Sequence, residues 1–408
     1  MSRPAALVLT PRPPWPPDDG GRIVAWQNLL AVADEYDTTL VTFAPLVVNL
    51  APPPDLTRRG VRVVFVHFDP PPVWIAAISG LLGRWPYSLA RYRSREFERA
   101  VGEEIRRRRP AFVYVHHLHL ATYVDALDGV PLVLREHNVE FRWMERYARS
   151  RGATPTGFYA RLQAARLLAA ESALCRRAAL VLAIQEEEAR ALRAIAPGAR
   201  VETLPVGADL TAVPPRSPAR PPVVLLAASF LWPPNVEGAI RFLREGWPRL
   251  RERAPEAVLR VSGKEPPYRL MAEAANAGAQ LAPDVPSMAD EYARSTLLIV
   301  PLWVGAGARV KMVEALAARL PVVATTPAAE GLGLVPGTHF VAAESPEAIA
   351  DEAAALLHDA ARREAIGAAG RAHAERHWSV EAVAALQSRL LASVSGAKPE
   401  VAPPGAPG

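Results

Sequence analysis

The sequence has a single cysteine and very little lysine. Cys175 is the only cysteine among 408 residues, which excludes an intramolecular disulfide and a zinc site built from several cysteines. Lysine occurs three times, at Lys264, Lys311 and Lys398, against 44 arginines. Two of these lysines directly follow apolar runs in the second half, where α/β proteins usually bind ligands. A compact ammonium suits phosphate oxygens, so Lys264 and Lys311 are candidates for binding an anion.

Long apolar runs are also lacking. None reaches the ~18 residues that a membrane-spanning helix needs, and the run at residues 5–9 is too short for a signal peptide. Half of the residues are hydrophobic and 22% are charged, a globular balance, so we expect a cytoplasmic protein. The net charge of +5 permits an acidic partner. Because no zinc-finger, RNA-binding or basic-zipper signature is present, we expect no nucleic-acid partner.

Short apolar runs alternate with helical patterns along most of the chain, which predicts parallel sheets with helices on both faces. The predicted strands are residues 6–10, 39–43, 61–66, 112–116, 132–135, 180–184, 201–204, 223–228, 257–262, 297–301, 322–325 and 339–341. A proline-rich break at residues 213–222 divides the chain into predicted domains 1–205 and 206–375. Residues 376–394 are predicted to form a helix that packs back on the first domain, and residues 395–408 a disordered tail.

The strongest chemical signal lies near residue 300, where an apolar run ends at Pro301. A loop of small residues follows: Gly305, Ala306 and Gly307. The next helical pattern carries two cations and a carboxylate: Arg309, Lys311 and Glu314. A helix N-terminus favours phosphate because of its free N–H groups and its dipole, and the cations strengthen this preference. The carboxylate needs a hydroxyl partner instead, and a nucleotide ribose supplies two.

Paired glycines, Gly20 and Gly21, follow the first predicted strand and precede a helix. They would let the backbone approach a ligand closely, and the alternative is a simple turn. The pattern is not the G-x-G-x-x-G of dinucleotide enzymes, so NAD is not inferred. Similarly, Ser262-Gly263-Lys264 resembles the end of a phosphate-binding P-loop, but Val258 stands where that loop needs glycine. Lys264 remains a candidate cation near phosphate.

Two histidine-containing groups also follow predicted strands. The first is Glu136-His137-Asn138, which can hydrogen-bond substrate hydroxyls or take part in acid–base work, or can simply cap the next helix. The second is His116-His117-Leu118-His119. Three histidines suggest a metal, but no carboxylate or further histidine follows at helical spacing, so we expect no metal. Lining of a cleft and ordinary packing are the remaining interpretations, and His119 is kept as a cleft residue.

In this order, the motifs resemble the retaining glycosyltransferases of group 1, family 4, over roughly residues 5–395. The resemblance rests on residues 16–22 (PPDDGGR), 136–140 (EHNVE), 204–209 (LPVGAD), 230–235 (FLWPPN), 305–316 (GAGARVKMVEAL), 321–326 (PVVATT) and 329–332 (AEGL). It implies the GT-B fold, an α/β architecture of two Rossmann-like parallel-sheet domains that face a central cleft. It also implies transfer of a sugar from a nucleotide diphosphate donor, a UDP- or GDP-sugar, with retention of configuration.

The resemblance further implies a role for each candidate residue. Glu314 would hold the ribose hydroxyls, while Arg309 and Lys311 would neutralise the departing diphosphate without a metal or a cofactor. Donor contacts would also come from Gly20, Gly21, Lys264, Gly305, Ala306 and Gly307. His137 would contact the transferred sugar, and Glu136, Asn138 and His119 would face the acceptor. Many members have glutamate where this chain has Ala306, so the resemblance does not name the sugar.

The acceptor would be a saccharide or a lipid-linked molecule of cell-surface polysaccharide or glycolipid synthesis. Residues 70–85 are apolar and aromatic, and several arginines follow: Arg91, Arg93, Arg95 and Arg99. Such a segment is typical of a peripheral contact with an anionic membrane, here its inner face, and the alternative is a buried helix beside a solvated basic face. Two other functions stay open: a nucleotide-sugar 2-epimerase, and a non-catalytic nucleotide-sugar-binding protein.

Overall fold

The computed structural model describes residues 3–17, 20–44, 51–208, 210, 219–303 and 309–396. The chain divides into two compact units. Unit 1 comprises Met1–Val206 and Val383–Gly408, and unit 2 comprises Gly207–Ala382. Among the described residues, no helix has both the length and the apolarity to cross a bilayer.

Unit 1 is built on a seven-stranded parallel sheet with the order β3-β2-β1-β4-β5-β6-β7. Its strands are β1 (Ala5–Thr10), β2 (Asp37–Ala44), β3 (Arg62–His67), β4 (Val113–His116), β5 (Leu132–Arg135), β6 (Leu180–Ala183) and β7 (Val201–Thr203). Its helices are α1 (Gly20–Glu35), α2 (Pro54–Arg58), α3 (Val73–Leu82), α4 (Tyr87–Ala90), α5 (Arg95–Arg108), α6 (Glu140–Arg151), α7 (Pro155–Arg177) and α8 (Glu186–Ile195). A 3-10 helix, Leu118–Leu127, joins β4 to β5.

Unit 2 is built on a six-stranded parallel sheet with the order β10-β9-β8-β11-β12-β13. Its strands are β8 (Val223–Ala227), β9 (Val258–Gly263), β10 (Gln280–Pro283), β11 (Leu297–Val300), β12 (Val322–Ala324) and β13 (Val341–Ala342). Its helices are α9 (Pro233–Arg241), α10 (Trp247–Arg253), α11 (Tyr268–Asn276), α12 (Met288–Arg294), α13 (Arg309–Ala317), α14 (Thr326–Ala329), α15 (Pro346–His358) and α16 (Ala360–Trp378). A π-helical turn, Phe242–Gly246, joins α9 to α10.

Both faces of each sheet are buried, which explains the near-continuous apolar runs. In β1, Leu7 and Leu9 pack into one core of unit 1, whereas Ala6 and Val8 pack into the core on the opposite face. The same division holds in unit 2, where Leu297 and Ile299 face one core and Leu298 the other. Each unit therefore has helices on both sides of its sheet, and the predicted α/β class is confirmed.

The last helix, α17 (Val380–Ser395), begins at the end of unit 2 and continues in unit 1. Val383 and Leu391 join the core formed by α1 and the sheet of unit 1. A buried amide pair fixes the helix there: Asn28 Nδ2 donates to Gln387 Oε1 at 2.5 Å, and Gln387 Nε2 donates to the carbonyl of Asn28 at 3.0 Å. Residues 397–408, most of the predicted tail, lie outside the described residues.

The strand predictions hold with shifts of one or two residues, and one strand was missed. That strand is β10, which lies at the edge of its sheet. Gln280 and Pro283 are exposed and only Ala282 is buried, so the segment lacks the apolar run that identifies a central strand. Proline is also confined to edges or ends of strands, which lowers the sequence signal further.

Candidate functional site

The candidate polar residues of unit 2 lie after the C-terminal ends of its strands. Because all six strands are parallel, the residues that follow β8, β9, β11, β12 and β13 lie along one edge of the sheet. Backbone contacts join these segments: the Phe230 amide donates to the Lys264 carbonyl at 3.1 Å, and the Thr325 amide donates to the Val300 carbonyl at 3.3 Å. This edge is the candidate ligand site of unit 2.

A carboxylate with two donors lies on α13. Glu314 Oε2 accepts from Lys311 Nζ at 2.9 Å and from the Tyr292 hydroxyl at 2.7 Å. Lys311 and Glu314 are three residues apart, so they lie on the same side of the helix. Tyr292 comes from α12 and is only 1% exposed, whereas the Glu314 side chain is 35% exposed. Burial and the nearby Glu314 charge raise the pKa of Tyr292 well above its ordinary value, so the hydroxyl keeps its proton.

This arrangement leaves Glu314 able to take a further partner. A carboxylate accepts several hydrogen bonds, and the two donors in place both use the same oxygen. The Lys311 side chain is 22% exposed, and its ammonium can also bind an anion. The pair therefore offers one acceptor and one cation side by side, which suits a ligand that carries both hydroxyl and phosphate groups.

The other predicted residues of this stretch are only partly within the described residues. Arg309 is the first residue of α13, so its backbone lies at the helix N-terminus, where the dipole favours anions. The predicted loop residues Gly305, Ala306 and Gly307 lie outside the described residues. Their roles stay predictions.

Lys264 follows β9, and its side chain is exposed. The preceding Gly263 permits a close approach between two strand ends, because a Cβ at this position would lie 1.8 Å from the Ala228 carbonyl oxygen. The turn after it bends back through Glu265, whose amide donates to Asp284 Oδ1 at 3.3 Å. Lys264 therefore projects from a fixed turn at the same sheet edge that carries the α13 residues.

Glu344 was not predicted as a site residue, although it lies at this edge. Its carboxylate accepts from the amide of Thr326 at 3.0 Å and from the Thr326 hydroxyl, at the start of α14. Its carbonyl accepts from Trp303 Nε1 at 2.7 Å, and the Arg241 guanidinium lies 4.5 Å from the centre of the Trp303 ring. Tyr292 was missed as well. Glu344 follows an apolar run and Tyr292 precedes one. No short sequence motif indicates that Glu344 bonds to Thr326 or that Tyr292 bonds to Glu314.

In unit 1, three histidines meet at the ends of β4 and β5. His116 Nδ1 and His137 Nε2 are 3.1 Å apart and share a hydrogen bond. The rings of His117 and His137 stack with centroids 3.7 Å apart. His119 is further away, with its ring 6.0 Å from that of His117 and 4.8 Å from that of Tyr92. The sequence indicated two separate histidine-containing groups, and it did not indicate the pairing of His116 with His137.

Three of these residues, His116, His137 and His119, are held in the neutral form. Burial, followed by the charges of neighbouring histidines and Arg135, lowers the pKa of His116 and of His137 well below the ordinary value. Burial alone lowers the pKa of His119 to about 4. At neutral pH these three side chains therefore donate and accept hydrogen bonds as neutral imidazoles, a state suited to binding hydroxyl groups.

Unit 1 also contains a group of neighbouring buried carboxyl groups: Glu136, Glu140 and Glu171. Glu171 accepts from the amides of Glu140 and Phe141, both at 3.0 Å, and so caps the N-terminus of α6. Burial raises the pKa of Glu171 to about 8 and that of Glu140 to about 7. Glu136 is 2% exposed, and burial and the neighbouring glutamates raise its pKa well above the ordinary value. Of the predicted acceptor residues, Asn138 is exposed and Glu136 lies inside this group.

Gly20 and Gly21 are the first residues of α1. Gly20 does not have a positive φ, and a Cβ at this position would meet no described residue within 4 Å. Within the described part of the chain, neither backbone conformation nor packing therefore requires glycine at position 20, and close approach of a ligand remains a physical reason for it. Across the part of the chain that the structure describes, no group of three or more metal-ligating side chains could hold a metal ion.

Comparisons with known proteins bear on both units. A family model described as "Glycosyl transferases group 1" matches residues 221–359, and one described as "Glycosyltransferase Family 4" matches residues 54–212. No curated protein matches the chain.

Several solved structures are similar along nearly the whole chain. The sucrose-phosphate synthase of Thermosynechococcus elongatus is 15% identical, with a TM-score of 0.66 over 97% of this chain and 100% of that one. Anabaena HepE in complex with UDP and glucose is 15% identical, with a TM-score of 0.61 over 96% and 100%. A glycosyltransferase from Rickettsia africae is 10% identical, with a TM-score of 0.64 over 97% and 99%. At these identities the likeness concerns the fold.

Proposed function

The chain belongs to the group 1 and family 4 glycosyltransferases and has the GT-B fold, and on this premise we propose the reaction that it catalyses. The protein transfers a hexose from a nucleoside diphosphate sugar to a saccharide or lipid-linked acceptor, with retention of anomeric configuration. The donor is a UDP- or GDP-sugar. The acceptor belongs to cell-surface polysaccharide or glycolipid synthesis, on the cytoplasmic side of the membrane.

One observation carries this proposal: the Lys311–Glu314 pair on α13, held by the buried hydroxyl of Tyr292. It lies within residues 221–359, which the group 1 model matches. A nucleoside diphosphate presents ribose hydroxyls and phosphate oxygens a short distance apart. Glu314 binds the ribose hydroxyls in this proposal, and Lys311 binds the diphosphate.

The chemistry of the leaving group explains the choice of residues. Negative charge accumulates on the diphosphate as the bond to the sugar breaks, so preorganised positive charge lowers the barrier. Lys311, Arg309 and the N-terminus of α13 supply that charge, with Lys264 at the same sheet edge. In this proposal no metal is required, because these groups provide the compensation that a divalent cation gives elsewhere.

The histidines of unit 1 serve the sugar and the acceptor. His137 is fixed by its hydrogen bond to His116 and by stacking on His117, so its imidazole has one orientation. We assign it to a hydroxyl of the transferred sugar, as a hydrogen-bonding group and not as an acid. Asn138 and His119 contact the acceptor in this proposal, whereas Glu136 is buried.

Support for the nucleotide comes from solved structures that are similar to this chain, among them a UDP-forming trehalose-phosphate synthase from Burkholderia xenovorans. Anabaena HepE is described in complex with UDP-glucose as well as with UDP. UDP-sugars are therefore the first donors to test, and GDP- and ADP-sugars the second. A thermal-shift screen should show stabilisation by one nucleotide class, since a ligand at about 100 times its Kd adds ~2.7 kcal/mol to the stability.

Substitutions in unit 2 then test the site. Lys311→Ala and Glu314→Ala should each lower turnover at least ~100-fold, the scale for removing one preorganised charged group. Glu364→Ala is the matched control, because Glu364 is an exposed carboxylate of the same unit, paired with Arg319. Normal turnover in both site variants would refute the assignment. Sugar inversion at C2 without an acceptor would indicate an epimerase, and binding without turnover a non-catalytic protein.

A further inference from the structure

Helix α3 of unit 1 exposes large apolar side chains to solvent. Trp74 is 65% exposed, Ile78 is 50% exposed and Leu82 is 86% exposed. Ile75 and Leu81 are exposed as well. The sequence left open a buried helix at this place, and these exposures show that interpretation to be wrong. Surfaces of this kind on globular proteins usually mark an interaction site.

The five side chains form one stripe along the helix. Positions 74, 75, 78, 81 and 82 fall within about 120° of the helix circumference at 3.6 residues per turn. The opposite side carries the small residues Ala76, Ala77 and Gly80. Gly80 has no room for a side chain, because a Cβ there would lie 2.7 Å from the backbone of Tyr87. The small side therefore faces the protein, and the large side faces outward.

Helix α7 fixes this orientation. Tyr159 Oη donates to the Ala77 carbonyl at 3.1 Å, and Gln163 Nε2 donates to the Gly80 carbonyl at 3.1 Å. Gln163 Oε1 also accepts from the Tyr87 amide at 2.7 Å. Rotation of α3 to bury its apolar stripe would break these bonds and bring the large side chains against α7. The exposed stripe is thus a property of the packed structure.

Helix α7, which Tyr159 and Gln163 join to α3, also exposes apolar side chains. Phe158 is 59% exposed and Leu162 is 48% exposed, one turn apart on the same side of that helix. Tyr159, which follows Phe158 in α7, donates the hydrogen bond to the Ala77 carbonyl of α3. We call this combined surface the α3–α7 face. Its members are Trp74, Ile75, Ile78, Leu81, Leu82, Phe158 and Leu162.

All charges in the two segments that form this face are positive. Residues 70–95 and 155–170 contain no aspartate or glutamate, but they contain six arginines. Arg84 is 66% exposed and lies 4.7 Å from the centre of the Trp85 ring, with Asp125 as its partner, and Arg161 lies 5.3 Å from the ring of Phe158. Arg84 and Arg161 therefore lie beside aromatic rings of this region, and Asp125, the acid that pairs with Arg84, lies outside the two segments.

We propose that the α3–α7 face docks on the surface of an anionic lipid bilayer, with α3 parallel to the membrane plane. Apolar side chains of an interfacial helix enter the boundary between headgroups and acyl chains, while arginines bind anionic headgroups. Exposed tryptophan is favoured in that boundary. Binding of a second copy of the chain to this face is disfavoured, because a symmetric dimer would place the arginines of one copy against those of the other.

Docking would place the transferase at the membrane that carries a lipid-linked acceptor, and only this consequence rests on the proposed function. Binding to lipid needs neither donor nor turnover. A failure of membrane binding would thus leave the transfer reaction untouched, and a failure of turnover would leave the docking surface untouched.

The test is flotation of the full chain with vesicles of phosphatidylcholine containing about one third phosphatidylglycerol, against pure phosphatidylcholine. Wild type should float with the anionic vesicles and less with the neutral ones, and raised salt should weaken binding because it screens the arginines. Ile78→Glu and Leu82→Glu should each lower the partition coefficient at least about tenfold, because a carboxylate replaces an inserted apolar group. Tyr268→Glu is the matched control: Tyr268 is 81% exposed but lies on α11 of unit 2.

Three outcomes would overturn the proposal. Wild type could stay with the unbound fraction at low salt. Alternatively, Tyr268→Glu could reduce flotation as much as the two face variants. Finally, sedimentation equilibrium could show a dimer that Leu82→Glu converts to a monomer while flotation is absent, which would make the face a contact between copies of the chain. Circular dichroism of each variant shows that loss of binding is not loss of folding, since all substituted positions are exposed.

Discussion

Glu171 should make unit 1 less stable as the pH rises, which is the reverse of the usual behaviour of a paired carboxylate. The residue is 0% exposed, and this burial is the main reason why its pKa is raised to about 8. The hydrogen bonds from the amides of Glu140 and Phe141 lower the pKa, but their effect is smaller than that of burial. The folded state then holds the proton more tightly than the unfolded chain. The stability that this proton contributes is complete below the ordinary pKa of 4.5 and is lost as pH rises through about 8.

The size of the stability loss follows from the difference between the ordinary pKa of Glu171 and its raised value. A displacement from 4.5 to about 8 corresponds to roughly 4–5 kcal/mol at ~1.4 kcal/mol per pH unit. This is an upper bound, because Glu140 and Glu136 are close and their ionisation is linked to that of Glu171. We expect a loss of about 2 kcal/mol or more between pH ~5 and pH ~8.

The assay compares wild type with Glu171→Gln by urea unfolding at several pH values. Glutamine keeps the size of the side chain and one acceptor, and it does not titrate. The stability difference between the two proteins reports the titration of Glu171 and its linked neighbours Glu140 and Glu136, because contributions from unit 2 cancel. Wild type should lose stability relative to the variant as pH rises. A constant difference, or one that favours wild type at higher pH, would show that the carboxylate is ionised in the fold and would refute the reasoning.

Two further substitutions test the packing and the site of unit 2. Gly238→Ala should lower the stability by ~1–3 kcal/mol in urea unfolding, because the new Cβ would lie 1.9 Å from the Pro301 carbonyl oxygen. Gly102→Ala is the control: it lies in a helix, its Cβ would come no closer than 3.4 Å to the Arg106 side chain, and it should not destabilise the protein. Tyr292→Phe should weaken nucleotide binding about three- to tenfold in calorimetric titration, because Glu314 loses one of its two donors while the ring still packs. Unchanged affinity would show that Tyr292 does not position Glu314.

Much of the fold follows from local sequence patterns. Strands such as β5 and β6 are buried on both faces, so each reads as an apolar run bounded by polar residues. The edge strand β10 lacks such a run and was missed. The pairing of Lys311 with Glu314 is also local, since their spacing places both on one side of a helix.

Long-range contacts explain what sequence patterns could not predict. Tyr292 reaches Glu314 across 22 residues, and Glu171 caps α6 from 30 residues away. Such partners depend on how helices pack against a sheet, and no short motif encodes that geometry. The exposed stripe of α3 is a related case. Its apolar composition suits a buried helix equally well, and only the small residues Ala76 and Gly80 on the opposite side, held against α7, decide its orientation.

The most direct test of the account is the anomeric configuration of the sugar that the protein releases or transfers. The nucleotide sugar identified by thermal shift is incubated with wild-type protein, and the first product is observed by proton NMR before mutarotation. We expect transfer of the sugar to water, with release of the nucleoside diphosphate and of a sugar that has the same anomeric configuration as the donor, and loss of this product in Glu314→Ala but not in Glu364→Ala. An inverted product, a sugar changed at C2, or an undiminished rate in Glu314→Ala would contradict it.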